Sequence, residues 1–319
     1  MPTMDELAQI TGRGVAEVLD PTIAILAPIL RKNQAAIKEI PLRTFQYGPT
    51  DRHQLDVYYP LNPHKSGKTP VLFFVYGGSF TTGERNLSVK FGLVYACLGA
   101  FFARQGIVTV IPDYRLVPNV TYPGPVEDVR DAMSWVVQNA DEALTSNAVP
   151  RSSLLLDKLF ILGHSAGAFH TGSLVFNPDV LPFDSDLRAR IAGAAMFGGP
   201  YDLAALEAGT ERGKIYEQYF GSVDEAKKKD ILTLVRNYPD GEVGRLPDLV
   251  LLKAEQEPDF LHEASDGLKK EIERRRNDEQ RIIVAKGHNH ISVNWVLGTG
   301  EGEEWAYELA EWITSRAGV

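Results

Sequence analysis

Short runs of β-branched and aromatic residues alternate along this chain with longer segments whose apolar positions recur every three or four residues. That alternation is the pattern of a mostly parallel sheet covered by helices. LRTFQYG and HQLDVYYP are separated by Pro49-Thr50-Asp51-Arg52, which predicts an antiparallel hairpin at the start of the sheet. PVLFFVYGG is an almost unbroken apolar run, as a strand buried on both faces requires. A helix is expected from Ser88 to Arg104, followed by the strand IVTVIPDY. A second helix is expected from Val126 to Leu144, with Val129, Met133, Val136 and Val137 at helical spacing. DKLFIL, IAGAAMFGG, DLVLLKA and RIIVAKG read as further strands. Helices should follow GHSAG, run through a charged segment to about Asp278, and close the chain from Glu303 to Ser315.

Two regions fall outside this repeat. Residues 1–40 look helical and precede the first strand, while 201–246 interpose short helices between two strands of the catalytic domain expected over 41–319. Ligands of open α/β sheets lie beyond the carboxyl ends of the strands, so extra helices there are expected to form a cap over a pocket.

Bulk properties narrow the picture. With 44% hydrophobic and 24% charged residues, the chain has the make-up of a globular protein with a large core. A net charge of −9 disfavours a phosphate backbone as partner, so no nucleic acid is expected. The runs Lys227 to Lys229 and Arg274 to Arg276 are read as solvated helix faces. The single cysteine, Cys97, sits in an apolar helical context as inert packing and cannot form an internal disulfide. MPTMDELAQ has the wrong charge for a secretory leader and PTIAILAPIL is too short to span a bilayer. The expectation is a cytoplasmic protein with no membrane partner, self-association being left open.

The candidate chemistry begins at GHSAG. Ser165 lies between a strand and a helix, with Gly163 and Gly167 where a tight turn leaves no room for Cβ atoms, and this context suits an exposed nucleophile. An activated serine needs a base. His164 and His170 are too close in sequence to swing onto it, and His53 and His64 precede the sheet proper. GHNH, after the last strand, supplies His290 as first choice and His288 as second. A metal reading of that pair lacks the further ligands that zinc needs, and no metal or organic cofactor is expected. The carboxylate that would orient the imidazole is sought in AEQEPDF, where Glu255, Glu257 and Asp259 follow a buried strand. Tyr76-Gly77-Gly78-Ser79 follows another, and its N–H groups with that of Ala166 are candidate donors to an oxyanion.

With these pieces in place, the sequence from about Phe45 onward resembles the α/β-hydrolase fold, within it the esterases related to hormone-sensitive lipase and to arylformamidases. YGGSF is similar to the family's HGGGF loop, PDYRLVP to its DYRLaP segment, PVEDVRDAMSWV to the helix that follows, GHSAGAFH to its elbow and GGPYDL to its sGvyDL. AEQEP resembles the acid loop GxxDP, and GHNHIS the histidine loop. The resemblance implies Ser165 as nucleophile, His290 as base, Glu257 as acid with Asp259 as fallback, and an oxyanion hole from Gly77, Gly78, Ser79 and Ala166. Tyr76 replaces the motif's histidine, glutamate replaces aspartate at 257, and the first 40 residues match no motif. The function expected is serine carboxylesterase on small soluble esters. The alternatives are an arylformamidase and a hydrolase-fold binding protein without turnover.

Overall fold

The structure, a computed structural model, describes residues 2–62, 64–87 and 93–319. Eight strands form one sheet: β1 Leu42–Gln46, β2 Gln54–Tyr58, β3 Thr69–Val75, β4 Val108–Pro112, β5 Leu154–His164, β6 Ile191–Phe197, β7 Asp248–Gln256 and β8 Ile282–Asn289. Their spatial order is β1-β2-β4-β3-β5-β6-β7-β8. The expected hairpin is present, with β1 antiparallel to β2 and Phe45 opposite Leu55. β2 is also antiparallel to β4, and every later pairing is parallel. β3 is buried along its whole length, which is why its sequence carries no polar alternation.

Three helices precede the sheet: α1 Pro2–Ala8, α2 Val15–Lys32 and α3 Gln34–Glu39. Then come α4 Ala96–Arg104, α5 Gly124–Gln138, α6 Ala140–Ala143, α7 Ala166–Phe176 and α8 Asp186–Arg190. The remainder are α9 Glu211–Phe220, α10 Val223–Lys228, α11 Ile231–Arg236, α12 Asp259–Arg276, α13 Ser292–Trp295 and α14 Glu304–Ala317. The start of the helix expected at Ser88 lies outside the described residues, and α4 begins only at Ala96. The helix expected over 126–144 is two helices, broken at Asn139, whose side-chain amide and backbone N–H both donate to the Trp135 carbonyl, at 2.8 and 2.9 Å.

α7 is buried all round, which fits an apolar helix against β5 and β6 rather than a two-faced one. The short helices of 201–246 are each punctuated by a side-chain cap. Thr210 accepts from the Gly213 N–H at 2.9 Å, Ser222 from Glu225 at 3.1 Å and Asp230 from Thr233 at 2.6 Å. Caps of this kind contribute about 1 kcal/mol apiece, which matters most to helices too short to hold by propensity.

The two basic runs differ. Lys228 is an exposed partner of Glu225 at 2.7 Å, as expected of a solvated face. Arg275 corrects the reading of 274–276: its side chain is 9% exposed and reaches the carbonyls at the end of α11, donating to Arg236 O at 2.5 Å and to Asp240 Oδ1 at 2.8 Å. An arginine can satisfy several orphan carbonyls of a helix end at once, and here it ties α12 to α11.

Candidate active site

Because the strands from β3 to β8 all run the same way, their carboxyl ends meet at one edge. Gly77, Ser165, Gly198, Glu257 and His290 all follow those ends. Ser165 has φ 57° and ψ −122°, a conformation that non-glycine residues rarely adopt. It is held there by close packing. A Cβ on Gly167 would strike the carbonyl of Val75, and one on Gly163 would strike the carbonyl of Gly167. On the other side a Cβ on Gly77 would lie 2.7 Å from Ser165 Cβ. The turn is therefore wedged between two strand ends and has no slack.

Glu257 and His290 are brought together. Both are buried, and Glu257 Oε2 lies 2.6 Å from His290 Nδ1. A carboxylate there accepts a hydrogen bond from Nδ1–H, leaving Nε2 as the nitrogen able to accept a proton. Gly198, at φ 56°, makes the space: a Cβ on it would overlap Glu257 Oε1. Asp259 sits instead at the start of α12, 82% exposed, and pairs with Arg13 at 2.9 Å. Glu255 accepts from the Gly287 N–H at 2.7 Å.

His288 lies apart from this group. Its Nδ1 is 3.0 Å from Ser292 Oγ and its Nε2 2.7 Å from the Gly302 carbonyl, and burial lowers its pKa to about 4. It lines a different hollow of about 550 Å³, between α1, β8 and α14, that contains neither Ser165 nor His290. Two residues of one strand, two apart, would share a face. Here Gly287 at φ 74° and the end of β8 at Asn289 break the period, so the two histidines diverge.

The glycine loop after β3 has an unusual backbone, with Gly78 at φ 129°, Ser79 at 52° and Phe80 at 66°. The Gly78 carbonyl is turned away to accept from Thr81 N at 3.1 Å, Thr82 N at 2.9 Å and Thr82 Oγ1 at 3.0 Å. Across a trans peptide the next N–H points the opposite way. The N–H groups of Gly78 and Ser79 have no acceptor among the described residues. Beneath the loop, Tyr76 is fully buried and its hydroxyl donates to Asp113 Oδ1 at 2.7 Å while accepting from Arg52 Nη2 at 2.7 Å. Asp113 also accepts from the Arg85 N–H at 2.6 Å and is paired with the Arg85 guanidinium. Arg115 in turn grips Asp128 of α5, at 2.7 to 3.1 Å. PDYR and Asp128 of α5 thus form a charged scaffold under the loop rather than chemistry in the pocket.

Several contributors carried no clear signal in the sequence. His164 Nε2 is 3.0 Å from the backbone carbonyl of His290, with the two rings 4.7 Å apart. Burial, and to a lesser degree His290, push its pKa well below the ordinary value, so it is a neutral donor to that carbonyl. Gly198 was legible in principle, since FGGP after β6 mirrors VYGG after β3. Val15 and Leu19 of the N-terminal segment, and Arg212, had no spacing to mark them.

Two cavities meet at the serine. The larger, about 510 Å³, is walled by Leu19, Leu87, Tyr95, Ile291 and Trp295 beside the glycine loop. The smaller, about 130 Å³, lies under Phe80, Arg212, Ile215, Tyr216 and Phe260. Val15, Ser79, Ser165 and His290 belong to both.

Residues 55–211 match the BD-FAE family. The chain is 24% identical over 260 residues to a probable isoprenylcysteine alpha-carbonyl methylesterase of Oryza sativa, covering 79% of this chain and 58% of that protein. It is 30% identical over 166 residues to the probable carboxylic ester hydrolase LipM of Mycobacterium tuberculosis, covering 50% of this chain and 35% of LipM. It therefore spans little more than half the length of the first relative and about a third of the second. Among solved structures, esterase B of Lactobacillus rhamnosis superposes with a TM-score of 0.68 at 15% identity, covering 100% of this chain and 97% of that one. An esterase of Pyrobaculum calidifontis does so with 0.64 at 18% identity, covering 93% and 94%. Among the described residues no helix is long and apolar enough to cross a membrane. The chain has the α/β-hydrolase fold, and its residues 55–211 are similar to the BD-FAE family.

Proposed function

We propose that the protein is a carboxylesterase-type serine hydrolase acting through an acyl-enzyme on Ser165. The observation that carries this reading is the wedged positive-φ turn at Ser165, which lines two cavities together with His290, itself held by Glu257. His290 Nε2 takes the serine proton as Oγ bonds to the ester carbonyl carbon. Glu257 holds the tautomer and stabilises the imidazolium. The oxyanion is received by the free N–H groups of Gly78 and Ser79, with Ala166 N–H at the start of α7. The C–O bond to the alcohol breaks as His290 returns the proton to it. Water then attacks the acyl carbon, activated by the same imidazole, and frees the acid.

The helices of 1–40 and 201–246 act in this reading as a cap, since Val15 and Leu19 from one and Arg212 and Tyr216 from the other wall the cavities. A buried, unpaired thiol at Cys97 suits a reducing, cytoplasmic setting. Ester is preferred to formamide as the substrate bond because the relatives above are named as ester hydrolases. Ser165→Ala should lower p-nitrophenyl acetate hydrolysis by about 10³-fold or more with an unchanged melting curve. Turnover near the parent rate would remove the serine from the mechanism. Faster cleavage of N-formylkynurenine than of any ester would move the reading to the formamidase.

A further inference from the structure

The two cavities differ in their charged groups: Glu84 lines the larger and Arg212 the smaller. Arg212, on the first turn of α9, lines the smaller cavity opposite Ser165. Its guanidinium carbon lies 3.9 Å from the Phe260 ring centroid and 5.7 Å from that of Tyr216. Among the described residues it forms no ion pair. Two acids just before Phe260 in sequence are engaged elsewhere: Glu257 with His290 and Asp259 with Arg13.

A guanidinium held by ring faces keeps its in-plane N–H donors for another partner. Among the described residues the Tyr216 hydroxyl is at most the one acceptor beside the five donors of Arg212. Stacking fixes the plane of the fork in advance, which lowers the entropy lost when a carboxylate docks edge-on. The cavity's 130 Å³ corresponds to about four water volumes, enough for a chain of two carbons ending in a carboxylate and too small for a long acyl group. The larger cavity, by contrast, has the carboxylate of Glu84 in its lining, which disfavours an anion, beside leucine, isoleucine and aromatic side chains suited to a bulky apolar arm.

Resting on the esterase reading, we propose that the smaller cavity is the subsite for a short substrate arm ending in a carboxylate, bound by Arg212. The substrate class is then an ester with one bulky apolar arm and one short anionic arm. A monoester of a short dicarboxylic acid or an ester of a short hydroxy acid meets that description. The overall charge of −9 works against such a ligand at long range, so the discrimination must arise locally, at Arg212.

The test compares matched pairs. For an anionic acyl arm, 2-naphthyl hemisuccinate is set against 2-naphthyl levulinate, its neutral isostere. For an anionic alcohol arm, carboxymethyl 2-naphthoate is set against acetonyl 2-naphthoate. One pair should show a kcat/KM ratio of about 10 to 100 in favour of the anionic ester, carried mostly by KM, as expected of one charge-assisted fork. Which pair responds tells which arm occupies the subsite. Arg212→Gln should bring that ratio near one, while Arg212→Lys should keep part of it. The ratio is internal to each variant, so a general loss of activity does not mimic the result.

Ratios at or below one in both pairs of the parent protein, with the neutral esters turned over, would overturn the subsite and leave the esterase reading standing. A ratio unaltered by Arg212→Gln would do the same. Absence of turnover on all four esters would count against the esterase reading. In that case calorimetric binding of 2-naphthyl hemisuccinate and levulinate to the Ser165→Ala protein, with and without Arg212→Gln, still decides whether Arg212 selects the anion.

Discussion

The floor and the roof of this site are built from different materials. The floor, at the ends of β3, β5, β6 and β7, consists of positive-φ backbone, glycines without room for a Cβ, and buried polar pairs. The roof, at the starts of α2, α9 and α12, consists of half-exposed side chains: the Arg13–Asp259 pair, Arg212 over Phe260, and Val15 at the mouth of both cavities. On the floor each atom is over-determined by its neighbours, so errors cannot be absorbed. The roof touches water on one side and can change composition at little cost to the fold. Such a division keeps the reacting groups fixed while the walls that choose a substrate vary.

The sharpest way to break the comparison is to change one carboxylate in each region. Glu257→Gln should lower kcat by about 10⁴-fold, because the imidazole loses the group that sets its tautomer. Asp259→Asn, only two residues on, should leave kcat within about threefold, since an exposed pair contributes under about 1 kcal/mol. Steady-state kinetics on a neutral ester compares them, and a collapse in the second variant alone would reverse the assignment of floor and roof.

Next in size is a steric test of the floor. Gly167→Ala places a methyl group against the Val75 carbonyl and should cost about 3 kcal/mol or more in urea unfolding. Arg13→Ala should cost less than about 1 kcal/mol. Equal losses would show that the elbow has more freedom than its packing implies.

A third expectation concerns acid. Burial holds the imidazoles of His288 at about 4 and His170 at about 3, below their ordinary 6.5. In the unfolded chain both bind protons that the folded protein excludes. Stability is therefore full above about pH 6.5 and falls as the pH drops toward 4 and then 3. For His288 the loss amounts to about 3 kcal/mol at 1.4 kcal/mol per unit. Urea midpoints between pH 7.5 and 4 should decline, and His288→Gln should flatten part of that decline. An identical slope in the variant would exonerate His288.

The smallest effect is expected between the two regions, in the scaffold under the glycine loop. Tyr76→Phe leaves Asp113 and Arg52 without their shared hydroxyl, a loss of about 1–3 kcal/mol in stability. Arg85 still holds Asp113, so kcat should fall less than about tenfold. A drop as large as that of Glu257→Gln would mean that the loop depends on this one hydroxyl.

Much of the floor could be read from the sequence because its demands are local. A strand buried on both faces must be continuously apolar, and a strand-to-helix turn with no Cβ space must carry glycine, so VLFFVYGG and LFILGHSAG announce their geometry. The pairing of Glu257 with His290 was legible only as a choice among acids and histidines. What separates Glu257 from Asp259 is the space left by Gly198, far earlier in the chain at the end of another strand, and no local pattern records it. What separates His290 from His288 is one glycine at positive φ that interrupts the alternation. The roof was illegible for a different reason. Val15, Leu19 and Arg212 meet the site through tertiary packing, and their neighbours in sequence look like any amphipathic helix. Arg275 was misread because a run of three arginines in a last turn looks solvated unless one knows which helix end lies beside it.

The buried thiol of Cys97, its Sγ 3.6 Å from the Asn294 carbonyl and its pKa raised to about 12 by burial, gives the folded protein a clock. With no competing thiol in the chain, a maleimide can react only when α4 parts from α13, and each reacted molecule records one such opening. Since α13 follows directly on His290, the labelling rate under native conditions would count how often the ground beneath the imidazole gives way, without any engineered reporter.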